Sequence, residues 1–362
     1  MFGNIFYNKN IIVTGHTGFK GSWLTAWLLL LGANVIGVSL KPKTLSHFNL
    51  LNIKKNLKKN YYIDIRDYNK FEKIIINEKP DFVFHLAAQA IVKTSYDSPK
   101  ITWETNVIGT LNVLESLRKI KKNCIAILIT SDKCYYNKEL FRGYKETDEL
   151  GGKDPYSASK ASAEYLIHSY VESFFKSNKN HIQIASVRAG NVIGGGDWSE
   201  NRIVPDCIKS WLKGKKVNIL NPKSTRPWQH VLEPLGGYLY LAKKMYLEKG
   251  LHGESFNFGP NPKQNKNVIE LVSELSLFFE SSKWSSVKSN NKIKESNLLK
   301  LNCNKAKKIL GWQPVLSFSQ TVKYTSTWYD LFKKKHDINY VTHNQIHEYY
   351  ECAINKGKFW IK

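Results

Sequence analysis

The stretch Ile11-Ile12-Val13-Thr14-Gly15-His16-Thr17-Gly18-Phe19-Lys20-Gly21 decides the fold. Its first four residues are apolar or β-branched, as a buried strand requires, and the run Trp23 to Leu31 carries on as an apolar helix. Between strand and helix the glycines let the backbone turn tightly and approach a pyrophosphate. That anion then meets the unpaired N–H groups and the dipole of the helix N-terminus. A glycine motif alone reads as an ordinary tight turn; strand before and helix after make it a dinucleotide site. Gly15, Gly18 and Gly21 form the turn, with Thr17 and Phe19 between them.

Further short apolar runs follow at 35–38, 61–63, 82–84, 125–129 and 182–187, and helical patterns lie near 19–31, 67–78, 99–119 and 155–175. Strand and helix units repeated at this size predict an α/β fold, a Rossmann-type doubly wound parallel sheet covered on both faces. After Arg188 the rhythm breaks, and Gly194-Gly195-Gly196 and six prolines from Pro205 to Pro262 punctuate shorter elements. The expected division is a dinucleotide-binding lobe over 1–190, with a return of the chain near 227–250. A smaller C-terminal substrate lobe takes 191–226 and 251–340, followed by a tail over 341–362. Residues 282–298, rich in Lys, Ser and Asn, read as a surface loop.

Charge and cysteine content narrow the function class. The formal charge of +24 invites nucleic acid or an anionic membrane, yet the lysines are spread along the chain among Asn and Ile, with no zinc-finger or aromatic RNA-binding signature. No specific nucleic-acid partner is expected. Five scattered cysteines without a CxxC pair suit a reducing cytoplasm and hold no metal. The Trp23–Leu31 run is about half of a bilayer span, so no membrane insertion is expected, and no export signal precedes it.

The second strand should end in Asp or Glu to bond the adenosine ribose, but here Val38-Ser39-Leu40-Lys41 stands. Ser39 suits a ribose hydroxyl and Lys41 a 2′-phosphate, so NAD is expected with NADP also compatible. Asp64 and Ile65, after the third strand, would reach the adenine, and Ala87, Ala88 and Gln89, after the fourth, would line the dinucleotide.

Asp154-Pro155-Tyr156-Ser157-Ala158-Ser159-Lys160 opens a helix, and Tyr156 and Lys160 lie one turn apart on one face. A tyrosine accepts an alcohol proton near neutral pH only beside positive charge, which Lys160 and an oxidised nicotinamide supply. Together with the glycine motif, this pair is a redox centre.

With these motifs the chain resembles the extended short-chain dehydrogenase/reductases over nearly its whole length. Asn106 through Glu115, Phe256-Asn257-Phe258-Gly259-Pro260 and Leu310-Gly311-Trp312-Gln313-Pro314 are similar to the nucleotide-sugar branch. Thr130-Ser131-Asp132-Lys133 stands where nucleotide-sugar 4,6-dehydratases carry Thr-Asp-Glu. The Ser-Asp-Lys pattern, His16–Trp23 and Arg226–Pro234 resemble the CDP-glucose 4,6-dehydratases. The resemblance implies a nucleotide-sugar substrate, a homodimer, and internal hydride transfer in deoxysugar biosynthesis. It implies that Ser131 bonds the sugar 4-hydroxyl and that Asp132 protonates the departing 6-hydroxyl. Lys133 is either the base at carbon 5 or an electrostatic anchor, and one proton shared between Asp132 and Lys133 would serve both. Asn191, Arg226 and Asn257 are implied in substrate binding; His230 faces the site or packs behind it. Another nucleotide-sugar dehydratase or a 4-epimerase would share Tyr156, Lys160 and the glycine motif, but an epimerase needs no acid–base pair at 132–133. A dinucleotide-binding sensor or scaffold of this family often loses the tyrosine or lysine, and this chain retains both.

Overall fold

The computed structural model describes residues 1–176, 181–262, 264–280, 282–286 and 298–362. Strand β1 (Asn10–Thr14) leads through the glycine turn into helix α1 (Phe19–Leu30), and β2 (Asn34–Ser39) and β3 (Lys59–Tyr62) follow. Helix α2 (Tyr68–Glu78) precedes β4 (Phe82–His85). Then come α3 (Val92–Asp97), α4 (Pro99–Trp103), a wide turn over Glu104–Ile108, α5 (Gly109–Arg118) and β5 (Cys124–Ile129). Helix α6 (Pro155–Tyr170) leads to β6 (Ile182–Ala189), and after α7 (Ile203–Trp211) and α8 (Leu232–Leu247) comes β7 (Ser255–Phe258). The chain closes with α9 (Val268–Ser276), α10 (Phe318–Lys333) and α11 (Ile338–Asn355).

The seven strands form one sheet in the order β7-β6-β5-β4-β1-β2-β3, with every neighbouring pair parallel. Alternation along each strand explains the two buried faces. Ile11 and Val13 meet Trp23, Trp27, Leu235 and Leu239 of α1 and α8, whereas Ile12 turns to Phe71, Ile75, Val113 and Leu117 of α2 and α5. Every strand therefore points its carboxyl end to one edge, and the chain reverses direction across the sheet between β1 and β4.

Four expectations change. The helix foreseen over 99–119 runs without a break over 99–118 but widens by a π turn at Glu104–Ile108; just beyond, Gly109 lies so close to Ile65 that a Cβ there would meet its side chain at 2.7 Å. Strand β7 pairs with β6 in the main sheet, so residues 255–258 belong to the dinucleotide lobe rather than to the substrate lobe. The expected tail is instead mostly α11. Its stripe Ile338, Val341, Thr342, Gln345, Ile346, Tyr349 and Ala353 is buried at helical spacing, and two polar members disguise it in the sequence. Of the 282–298 loop, Trp284–Ser286 pairs with Val217–Ile219 as a short strand, and 287–297 lie outside the described residues. Among the described residues no helix is long and apolar enough to cross a membrane.

Candidate active site

The glycine turn is built by close backbone approach. Gly15 sits at φ +72° and donates to Val38 O at 2.8 Å; a Cβ there would come within 2.8 Å of Ala87 N. At Gly21 a Cβ would fall 2.0 Å from Gly15 O. Gly18 caps α1 without a side-chain acceptor, and no acidic residue occupies the first turn, so the helix N-terminus keeps its N–H groups and positive potential for an anion. These residues fit a dinucleotide pyrophosphate. Thr17 Oγ1 lies 2.8 Å from Ser39 Oγ at the end of β2, Lys41 is exposed, and the Phe19 ring lies near Gly194.

The other cofactor residues expected from the sequence line the same edge with different freedom. Ala87 donates its N–H to Thr14 Oγ1 (3.1 Å), with Ala88 half-buried beside it. Gln89 is tied by Asn106, Thr102 and Ile91. Ile65 is buried, and the Asp64 carboxylate is held by Arg66, which keeps it below the usual carboxylate range.

Tyr156 and Lys160 are both buried on the first turns of α6, whose N-terminus is capped by Asp154 accepting from Ser157 N at 3.0 Å. Lys160 Nζ points to Ile129 O at 3.5 Å. Burial pushes the Tyr156 phenol up to about 12 and the Lys160 amine down to about 8. The protein alone thus holds the tyrosine protonated, and phenolate formation requires further positive charge beside it.

Asp132 follows β5 on a short turn capped by Ser131, whose Oγ accepts from Lys133 N (3.2 Å) and donates to Asp132 Oδ1 (3.0 Å). The carboxyl is 4% exposed, and its Oδ2 has no hydrogen-bond partner among the described residues. Gly190, at the end of β6, leaves this oxygen room, since a Cβ there would stand 2.9 Å from it. Burial raises the Asp132 carboxyl above its ordinary value, against the pull of Lys133 and Arg226. Lys133 is half-buried, but among the described residues no ion pair joins it to Asp132. Among the described residues the Asp132 carboxyl is bonded by the Ser131 hydroxyl and not by the Lys133 amine.

Beneath this turn, Glu164 and Arg188 form an ion pair at 2.7 Å with both side chains 3% exposed. Glu164 also accepts from Thr130 and Ser186, and Arg188 donates to Tyr135 OH (2.7 Å) and Glu146 O (3.1 Å). Glu164→Gln is expected to cost about 3–5 kcal/mol by leaving the guanidinium buried without its counter-charge, read as a lowered urea midpoint. A change below about 1 kcal/mol would show that the pair does not support the site.

The expected substrate residues divide. Asn191, half-buried after β6, accepts from Gln229 N at 3.1 Å, and Arg226 is buried with its charge acting on Asp132. Asn257 and His230 do not stand open to a substrate. The Asn257 amide is engaged by Tyr135 OH, Tyr144 O and Asn302 O, so it pins the 135–146 loop to β7. His230 is fully buried, edge-on to Trp23 and Tyr324, and burial drives it down to about 3, leaving it neutral.

Two cations went unread in the sequence. Lys20 Nζ donates to Tyr238 OH (3.2 Å), and its charge acts within reach of Asp132, Lys160 and Arg202. Arg202, paired with Asp197 at 2.9 Å, acts on Tyr156. The sequence carries one signal, since Lys20 interrupts the apolar start of α1, but in a chain of +24 an isolated lysine is weak evidence of a site. Burial lowers Lys20 to about 7 from 10.5. The folded protein therefore binds fewer protons than the unfolded chain between these values, and stability rises with pH across that window. Lys20→Met is expected to be favoured over wild type near pH 7 and to lose that advantage toward pH 10. A stability difference independent of pH, by urea titration at both values, would contradict this.

The sequence profile of the GDP-mannose 4,6-dehydratase family matches residues 12–325. The chain belongs to that family. Within it, the CDP-glucose 4,6-dehydratase of Salmonella typhimurium is 40% identical over 351 residues, covering 96% of this chain and 97% of that protein. The dTDP-glucose 4,6-dehydratase of Haemophilus influenzae is 27% identical over 88% of this chain and 97% of its own length. Among solved structures, the Bacillus cereus UDP-glucuronic acid 4-epimerase, in complex with UDP-glucuronic acid and NAD, superimposes with a TM-score of 0.75 at 25% identity, covering 90% of this chain and all of that one. The chain is thus similar both to dehydratases and to a 4-epimerase.

Proposed function

We propose that this chain dehydrates CDP-glucose to CDP-4-keto-6-deoxyglucose, using NAD, in deoxysugar biosynthesis for surface polysaccharide. One observation carries the reading: a buried carboxyl, Asp132, held above its usual range, with one oxygen unbonded among the described residues, close to the redox tyrosine. A 4-epimerase has no use for an acid there. The 40% identity to the Salmonella CDP-glucose enzyme supports the nucleotide, and the fit of the glycine turn supports NAD.

Gly15, Gly18, Gly21 and the start of α1 would hold NAD, which would supply an acceptor for the carbon-4 hydride and return it at carbon 6. Tyr156, beside Lys160, accepts the 4-hydroxyl proton as the ketone forms. The ketone acidifies carbon 5, whose proton we assign to Lys133, while Asp132 protonates the 6-hydroxyl so that it leaves as water. Asn191 and Arg226 are assigned to the sugar nucleotide, Arg226 to a phosphate because a guanidinium pairs two oxygens at once. The buried walls around Asp132 keep water from adding to the unsaturated intermediate.

A homodimer is supported by Tyr96, Ile101, Trp103, Ile108 and Tyr165, apolar or aromatic side chains exposed on adjoining helical segments. Five free cysteines support a cytoplasmic site of action. Incubation with CDP-, dTDP- and GDP-hexoses and either NAD or NADP tests the whole: a 4-keto-6-deoxy product from CDP-glucose is expected. Product from dTDP-glucose alone would overturn the nucleotide while leaving the chemistry.

A further inference from the structure

The register that pairs Ile129 of β5 with Val187 of β6, carried on past the end of the pairing, brings Asp132 level with Gly190. Both residues stand at the carboxyl edge of the sheet, where parallel strands present their ends to a ligand. A side chain at 190 would point at the acid. Its Cβ would lie 2.9 Å from Asp132 Oδ2, 3.5 Å from the carboxyl carbon and 3.6 Å from the Pro227 ring. The backbone does not ask for glycine here, because Gly190, unlike Gly15 and Gly196, lies outside the left-handed region. At no other glycine among the described residues is a carboxylate among the nearest atoms; Gly194, Gly195 and Gly196 make room for Val231, Trp328 and His47 instead. What glycine supplies at 190 is space beside the acid.

We infer that Gly190 is a positioning residue for the acid of the dehydration step, an inference that rests on the dehydratase reading above. The Asp132 carboxyl accepts from Ser131 on Oδ1 at 3.0 Å, while Oδ2, buried and without a hydrogen-bond partner among the described residues, faces residue 190. With Oδ1 engaged by serine, Oδ2 is the oxygen left to serve the departing 6-hydroxyl. A methyl at 190 would press on that oxygen more closely than unbonded carbon and oxygen tolerate, and the carboxyl would have to turn away, loosening its bond to Ser131. Proton transfer to a leaving group needs donor and acceptor within hydrogen-bond reach, so a shift of a few tenths of an ångström at Oδ2 falls on that step. Gly190 touches no reacting atom and acts only through Asp132. The hydride step, which uses Tyr156 and the dinucleotide, has no need of the space at 190.

The test follows reduced nicotinamide by stopped flow in a single turnover of enzyme loaded with NAD and mixed with CDP-glucose. Gly190→Ala is expected to form reduced nicotinamide within about threefold of the wild-type rate and to consume it about ten- to a hundredfold more slowly. With CDP-6-deoxy-6-fluoroglucose, whose fluoride leaves without a proton, consumption in Gly190→Ala should stay within about threefold of wild type. A double variant supplies a further measurement. In Asp132→Asn the acid is already gone, so adding Gly190→Ala should slow consumption no further. Unchanged consumption of reduced nicotinamide with CDP-glucose, equal slowing with both sugars, additive losses in the double variant, or loss of the hydride step in Gly190→Ala would each overturn the inference. Absence of any 4-keto-6-deoxy product from wild type would instead remove the dehydratase reading itself.

Discussion

Tyr156→Phe is expected to lower turnover by about a thousandfold while leaving NAD affinity within a fewfold of wild type. In the proposed reaction the buried Tyr156 phenol takes the 4-hydroxyl proton, and without it the hydride step has no acceptor for that proton. Phenylalanine fills the same buried space at the start of α6, so the fold should persist. The dinucleotide is held elsewhere, on Gly15, Gly18, Gly21 and α1. The pH profile carries the same signature. Burial alone keeps Tyr156 protonated up to about 12, so the hydride step should quicken as pH rises toward the phenol's value, lowered by Lys160 and bound NAD. In Tyr156→Phe that acid limb should vanish from the residual rate. The check is stopped-flow formation of reduced nicotinamide, with NAD binding measured separately; near-normal hydride transfer in the variant would remove Tyr156 from its assigned role.

The second large effect falls on the other half of the reaction. Asp132→Asn is expected to leave the hydride step measurable but slow release of water by about a hundred- to a thousandfold, so that reduced nicotinamide accumulates on the enzyme. Asparagine has the shape of aspartate and accepts from Ser131 as the carboxyl does, but it has no proton to give to a leaving hydroxyl. The direction of the shift matters here: burial raises the Asp132 carboxyl, so its acidic form persists to higher pH than for an exposed aspartate and is lost as pH climbs through that raised value. Dehydration should therefore decline on the alkaline side, opposite in sign to the tyrosine limb, and the overall profile should be bell-shaped. Unchanged product formation by Asp132→Asn would refute the assignment of Asp132 as acid.

What was legible in advance follows from how local each signal is. The glycine turn, the strand before it and the apolar helix after it depend on residues within about a dozen positions, and so does the placement of Tyr156 and Lys160 on one helical face. The α11 stripe escaped because Thr342 and Gln345 interrupt its apolar pattern, and their burial depends on packing against α1 and α10. Asn257 lay in a motif shared with nucleotide-sugar enzymes, yet its partners Tyr135, Tyr144 and Asn302 stand 45 to 122 residues away. No periodicity reports such contacts.

By itself, the sequence determined that a parallel sheet buried on both faces carries a dinucleotide turn at β1 and a tyrosine–lysine pair on α6, because backbone conformation and side-chain periodicity are set by near neighbours. The tertiary structure alone decided the protonation chemistry. Asp132 is a candidate acid because Ser131, Gly190 and the surrounding walls exclude water from it; His230 is a neutral packing group because Trp23 and Tyr324 enclose it. Lys20 enters the site because Tyr238, 218 residues onward, receives its amine. The energy of a charge depends on everything within several ångströms, and only the folded chain brings those groups together.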